Sequence, residues 1–475
     1  MKLNRRHLLQ GAALAGAAAA TPAWAATGAL TPEQFGAKGD GVTNDTDAFA
    51  RLAAAITRQG GGEIVLRKTT YVVGRQLQGQ AARTGYAFEP ASILDLVGLR
   101  GGLTIHGNGA RLRAAPGLRY GTFDPRTGAK TRNPMPYTQG GEFATPYRAM
   151  IRVENCAGPV EVSDLELDGN LKALQIGGQY GDTGWQIPAT GLILINNKGT
   201  EKIARIYTHH HAQDGIMIDG MDASRGSAAA SRIEDVRCEY NGRQGLSLVG
   251  GRGYAFARSK FNHTGKAGIA SAPGSGVDVE AEAGKKIRDV SFADCEFSDN
   301  LGASFVSDSG DSEGISFTGC TFIGTTNWSA WLNKPRIRLS RCTFVGAFVH
   351  AYGHADPQRA TQFHDCTFRD DPALSPTRQV YGGENPDRPI GDLPDNKNVL
   401  FNRCKFLLTH QAALPWSVNV IYSDCTMSQN STRPAYPRGI YIGHNNIDAR
   451  QANITGSDNR GTLTSFGRTL PRGRL

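Results

Sequence analysis

The chain has 475 residues, of which 39% are apolar, 20% charged and 8% aromatic, with 59 Gly and a formal net charge of +9 at pH 7. This excludes a disordered chain and a small disulfide scaffold, because the apolar material suffices for a large core. Past the first thirty residues no apolar run reaches the ~20 residues a spanning helix needs, so no membrane span is expected.

In chain order, Arg5-Arg6-His7-Leu8-Leu9, an Ala/Gly-rich stretch and Ala23-Trp24-Ala25 read as the charged, apolar and cleavage regions of an export signal over residues 1–25. The Arg5-Arg6 pair resembles the twin-arginine type, which implies export already folded, to the periplasm or beyond. A pI near 9.1 then fits an anionic partner outside the cytoplasm, such as acidic polysaccharide. Nucleic acid would fit the charge equally, and the export signal argues against it.

Next stands Phe35-Gly36-Ala37-Lys38-Gly39-Asp40-Gly41-Val42-Thr43-Asn44-Asp45-Thr46-Asp47-Ala48, followed by Gly60-Gly61-Gly62-Glu63-Ile64-Val65-Leu66 and Tyr71-Val72-Val73. Gly39 to Asp47 reads as a turn into a helix of about a dozen residues with Ala48, Leu52, Ala55 and Ile56 on one face. That helix would cap the first coil of a solenoid, so Asp40, Asp45 and Asp47 are given no catalytic role. The segment closely resembles the opening of the pectate-lyase-like superfamily. The resemblance implies an all-β, right-handed parallel β-helix and a carbohydrate-active protein: polysaccharide lyase, glycoside hydrolase, uronan epimerase or phage depolymerase.

The remaining chain carries a repeated phrase. It reads Val290-x-Phe292-x-x-Cys295-x-Phe297, Phe317-x-x-Cys320-x-Phe322, Leu339-x-x-Cys342-x-Phe344, Phe363-x-x-Cys366-x-Phe368 and Phe401-x-x-Cys404-x-Phe406, with a weaker copy ending at Cys425-x-Met427. Upstream, Val160-x-Val162-x-x-Leu165-x-Leu167 and Tyr254-x-Phe256-x-x-Ser259-x-Phe261 follow the same template, with a baseline spacing of 21 to 25 residues between anchors. Each phrase holds two period-two runs with a one-residue phase slip, which turns a strand through a corner while apolar side chains stay inside. Such units bury their apolar faces only by stacking. The cysteines then form a ladder one coil apart, longer than the ~3.8 Å Cβ separation of a disulfide, so most are read as buried free thiols, with a few bridges left open by an oxidising compartment.

After several anchors a further strand begins with Gly, in Gly215-Ile-Met-Ile-Asp219, Gly245-Leu-Ser-Leu-Val249 and Gly276-Val-Asp-Val-Glu280. With Ile216, Ile218, Leu246, Leu248, Val277 and Val279 inside, Met217, Asp219, Ser247, Asp278 and Glu280 share an outer surface. Asp278 and Glu280 are a paired-carboxylate candidate for acid/base or nucleophilic work. Arg243 is a candidate clamp for a uronate carboxylate or a salt-bridge partner of Asp278 or Glu280, with Gln244 beside it. One imidazole of His209-His210-His211 is a candidate general base or acid, and His210 or Asp214 is read as a catalytic residue supporting Asp278 and Glu280. Three adjacent histidines point apart, so no metal is assigned to them. Asp214-Gly215-Ile216 resembles the Asp-Gly-Ile segment of polygalacturonase-type hydrolases, whose Asp-Asp pair and Gly-His-Gly loop are not found here.

Residues 113–148 and 171–190 read as long insertions that either wall the groove or pack their own aromatic and basic residues down, with Tyr180 and Trp185 as substrate-binding candidates besides Asp219. Asp308, Asp311 and Glu313 offer oxygen ligands for Ca²⁺, against which stands an ordinary acidic loop. The expected organisation is a signal at 1–25, one β-helix domain at 26–456 with a short capping helix, and a loosely ordered tail at 457–475. The expected activity is hydrolysis of a polysaccharide, anionic by the charge argument. Lyase, epimerase and non-catalytic glycan-binding readings stay open, as does the oligomeric state.

Overall fold

The computed structural model describes residues 28–79, 86–132, 142–178, 187–221, 231–385, 387–393, 396–450 and 452–475. The candidate export signal, Tyr180 and Trp185 lie outside the described residues.

The expected helix spans Thr46–Gln59 and ends on Gly60 in the left-handed conformation. It buries Ala48, Phe49, Leu52, Ala53 and Ile56, with Ala55 at the edge of that stripe. Phe49 meets the Tyr71 ring edge-on at 5.2 Å, which seats the helix on the first coil and closes its apolar end.

Beyond the helix the chain winds into a parallel β-helix whose strands pair with their counterparts one coil away. Each coil has three faces. On the first, Val160–Ser163 pairs with Glu201–Ala204, then Ser231–Glu234 and Tyr254–Ala257. The second carries Leu165–Asp168, Ile206–His209, Arg237–Glu239, Lys260–Asn262 and Glu296–Ser298 in register. The third carries Ala149–Glu154, Thr190–Ile195, Asp214–Asp219, Gln244–Arg252, Ser275–Val279 and Phe305–Ser307.

The phase slip in each phrase has a specific backbone cause. The residue before each anchor is left-handed: Asp164, Arg205, Asp235, Arg258, Asp294, Arg341, Asp365, Arg403 and Asp424 all have φ between 48° and 58°. This turns the chain from the first face to the second without consuming a side-chain position. Gly319 takes the same place at φ 66°, where an added Cβ would meet Asp294 Oδ1 at 2.4 Å. Asp and Arg alternate along this corner and pair across coils, with Arg205 Nε to Asp164 at 2.6 Å, Arg258 Nε to Asp235 at 2.9 Å and Arg403 Nε to Asp365 at 2.7 Å.

Inside, the phrase produces ladders. Phe297, Phe322, Phe344, Phe368 and Phe406 stack at successive centroid distances of 4.8, 4.7, 4.9 and 4.6 Å. All eight cysteines are free and buried. Cys320, Cys404 and Cys425 donate to the carbonyls of Phe292, Phe363 and Phe401 on the preceding coil at 3.4, 3.5 and 3.2 Å. Burial pushes the Cys238 and Cys404 thiols well up.

One expectation changes, and one open choice is decided. Residues 457–475 are not a loose tail: Asp458–Asn459 and Thr462–Ser465 extend the parallel faces, and Arg468–Thr469 and Gly473–Arg474 turn back antiparallel upon them. The turn-back pairs the final sheet edge that a bare last coil would expose. The described parts of the 113–148 insertion take the packing alternative. Arg119–Thr122 and Phe143–Ala144 join a five-stranded side sheet, and Tyr120, Phe123 and Tyr147 are buried rather than presented to a groove.

Candidate active site

The third face follows the expected alternation. Ile216, Ile218, Leu246, Leu248, Val277 and Val279 are all at most 1% exposed. Their neighbours form an outward row in which Arg152, Ile193, Met217, Ser247 and Asp278 stand in register on successive coils.

Asp214 departs from that alternation. By parity with Ile216 it belongs inside, but the ladder skips Gly215, and the carboxylate is directed to the outer row at the corner. There it is fully buried and receives Arg243 Nε at 2.8 Å and Nη2 at 2.5 Å. Arg243 also donates to Ser247 Oγ at 2.9 Å. The Ser247 hydroxyl lies 2.5 Å from Gln244 Oε1 and 3.0 Å from Asp214 Oδ2. Gln244 Nε2 donates to Asp278 Oδ2 at 2.8 Å. One continuous network therefore runs Arg243, Asp214, Ser247, Gln244, Asp278. The salt bridge considered for Arg243 exists, but to Asp214 rather than to Asp278 or Glu280, so its guanidinium is committed to an internal carboxylate.

Asp278 is 7% exposed. Burial and the neighbouring Glu280 carboxylate push its carboxyl up to about 7, against the opposing pull of Arg243 and Gln244. Glu280 lies half-buried just past the strand and accepts from the Ser309 hydroxyl. Glu282, which the sequence reading passed over, belongs to the same group. Glu282 is exposed, and its carboxyl is pushed up by partial desolvation first, with Glu280, Asp219 and Asp214 reinforcing the shift and Arg243 opposing it. The alternation Asp278-x-Glu280-x-Glu282 was the signal for it.

Asp219 has a basic partner that was also missed. Lys285 Nζ lies 2.5 Å from Asp219 Oδ1 and 2.7 Å from Asn196 Oδ1, an ion pair at the rim of the carboxylate group. Upstream along the same row, Arg148 and Arg152 line a cleft of about 160 Å³ with Tyr86, Glu89 and Asp95.

The three histidines separate. His211 turns inward, with Nδ1 2.9 Å from the Tyr147 hydroxyl and Nε2 3.1 Å from Leu167 O, and burial pushes it down to about 3. His210 packs on His209 and on the Tyr240 ring at 5.1 Å rather than on the carboxylates, and burial and then His209 push its pKa down. The structure thus does not bring His210 together with Asp278 and Glu280, because the left-handed His210, at φ 55°, aims its ring along the second-face corner.

The three proposed Ca²⁺ ligands do not converge. Asp311 pairs with Arg288 and Lys286, Glu313 with Arg336 and Arg359, and Asp308 accepts from Asn333.

No protein-family model matches the chain. A stretch of 67 residues is 40% identical to the capsule KN3-specific depolymerase 1 of Klebsiella phage KN3-1, and covers 14% of this chain and 8% of that protein. Among solved structures, the N-terminal fragment of gene product 12 of bacteriophage Phi29 superimposes with a TM-score of 0.55 at 14% identity, covering 94% of this chain and 73% of that one. The A-module of the Azotobacter vinelandii mannuronan C-5 epimerase AlgE4 gives a TM-score of 0.45 at 14% identity over 92% of this chain and 98% of that one.

Proposed function

We propose that the protein is an exported enzyme that hydrolyses a polysaccharide on the outside of the third face, with Asp278 as the proton donor to the leaving oxygen. The observation that carries this reading is the Asp278 carboxyl, aimed outward from a rigid strand and pushed up to about 7 beside Glu280. A carboxylic acid kept protonated near neutrality next to an ionisable partner is the division of labour that glycoside hydrolysis needs. Glu280 is assigned as the carboxylate that activates water or attacks, and Glu282 as a second acidic wall. Arg243, Asp214 and Gln244 are positioning residues that fix Asp278 through hydrogen bonds. The local likeness to a capsule depolymerase supports a polysaccharide substrate.

The charge of the site refines the substrate. Asp278, Glu280 and Glu282 cluster around an arginine already paired with Asp214, so a uronate carboxylate would meet net negative charge at the cleavage point. A neutral sugar is favoured there. Anionic groups of the same polymer are better accommodated upstream, beside Arg148, roughly four coils or 19 Å along the face from Asp278. The same arithmetic disfavours β-elimination and C5 epimerisation, which need a cation on that carboxylate.

The test is incubation with a panel of neutral and acidic polysaccharides, following reducing ends and ultraviolet absorbance together. New reducing ends without unsaturated-uronate absorbance, lost in Asp278→Asn, are expected. Reducing ends accompanied by that absorbance would replace hydrolysis by elimination, and silence across the panel would favour a glycan binder.

A further inference from the structure

We propose that Asp168, His209 and His210 form a binding site for a divalent transition-metal ion of the zinc type. Asp168 and His209 are register partners on adjacent second-face strands, both pointing outward, and the left-handed His210 returns its ring over the corner to meet them. One donor atom from each of the three lies within 4.8 Å of the others, in the one such group among the described residues.

The closest contact is between two ring nitrogens, His209 Nδ1 and His210 Nδ1, at 2.7 Å. Glu166 Oε1 stands 3.1 Å from His209 Nε2, so the His209 proton belongs on Nε2 and its Nδ1 presents a lone pair. His210 Nδ1 either donates its own proton into that lone pair or, with the proton on Nε2, presents a second one. In the latter tautomer two imidazole lone pairs and a carboxylate oxygen converge, with Asp168 Oδ1 3.7 Å from His209 Nδ1. An ion with bonds of about 2.1 Å holds tetrahedral neighbours about 3.4 Å apart, so the two rings part by about 0.7 Å when it binds.

The supporting shell is already built. Tyr207 stacks on His209 at 4.1 Å, and Tyr240 stacks on His210 at 5.1 Å, which fixes both ring planes. Asp168 is anchored through the backbone N–H of Asn170 on Oδ1 at 2.8 Å and through Arg111 on Oδ2. The Arg111 charge is shared with Glu166, 3.2 Å away, which limits its repulsion of a cation. His209 and Asp168 are buried while His210 is half-exposed, so an ion enters from the His210 side and keeps an open position there for water. Two imidazoles and one carboxylate select zinc, cobalt or nickel over calcium or magnesium.

The test uses the untagged full chain, stripped with chelator and titrated with Zn²⁺ by calorimetry. One saturable equivalent is expected. His210→Ala and Asp168→Asn should each weaken it at least tenfold with little change in melting temperature, while His444→Ala, at an exposed histidine, should leave it unchanged. Absence of saturable binding, or equal binding by the His210→Ala protein, overturns the proposal in favour of a simple hydrogen-bonded imidazole pair. The readout is binding, so it stands apart from any polysaccharide assay.

Discussion

Gln244 Nε2 donates to Asp278 Oδ2 at 2.8 Å while its Oε1 receives the Ser247 hydroxyl at 2.5 Å, so Gln244 joins Asp278 to the buried Arg243 and Asp214 pair. Ser247 has one proton and two acceptors, Gln244 and Asp214, and donates to only one at a time. The orientation of Asp278 is thereby coupled to an ion pair on the two preceding coils.

Replacing Asp278 by Asn keeps an acceptor for Gln244 and removes the transferable proton. Cleavage should fall by about 10²- to 10⁴-fold with the melting temperature nearly unchanged or higher. Reducing-end release and a thermal melt on the same preparation check this. A variant that keeps more than a tenth of the activity would remove Asp278 from the chemistry.

The pH dependence has a definite sign. If protonated Asp278 is the donor, kcat/KM should decline as pH rises through about 7. Stability follows the same ionisation. The folded carboxyl holds its proton more tightly than the unfolded one, so the contribution of Asp278 is greatest below about pH 4 and is lost between about 4 and 7. Asp278→Asn, which cannot ionise, should therefore exceed the parent stability above pH 7 by roughly a few kcal/mol and match it at low pH. Urea unfolding at pH 5 and pH 8 reads the difference, and a gap that does not widen at pH 8 would contradict the burial argument.

Asp214 is fully buried and the Arg243 side chain is 14% exposed, so neither ion is compensated by solvent when its partner is lost. Asp214→Ala or Arg243→Ala should each cost about 3–5 kcal/mol. The double replacement Asp214→Leu with Arg243→Met should recover much of that loss. Denaturant unfolding of the three proteins is the measurement; single-variant losses below about 1 kcal/mol would place the pair in water.

All eight thiols are buried and unpaired. A thiol reagent should label almost none in the native protein within minutes and all eight after unfolding without reductant. Fewer than eight after unfolding would mean that some are bridged.

The cysteine phrase told most about the fold, because its spacing reports which side chains stack from coil to coil. Phe292, Phe297 and Cys295 could be placed inside from the alternation alone. The site was legible in proportion to its regularity. Asp278 and Ser247 sit on the outer row that parity assigns them. Asp214 does not, since the kink at Gly215 overrides parity, and with it went the true partner of Arg243. His210 was misplaced because a left-handed corner residue obeys neither strand parity nor turn geometry readable from three adjacent histidines. The terminal strands escaped notice because Tyr441, Ile447 and Leu463 continue the core without cysteine or phenylalanine to mark the repeat.

From Asp164 to Asp294 the alternating Asp and Arg residues at the left-handed corner impose a period of two on a helix whose backbone repeats with a period of one. Each corner pair is exposed and screened by solvent, so the effect lies in which rearrangements are tolerated rather than in stability. Removing or duplicating a single coil between Asp164 and Arg258 would set like charges in adjacent rungs, whereas removing two would restore the alternation. Between Asp164 and Asp294, before Gly319 interrupts the alternation, the unit of growth is a pair of coils, and length variants built there in even steps should assemble where odd ones strain.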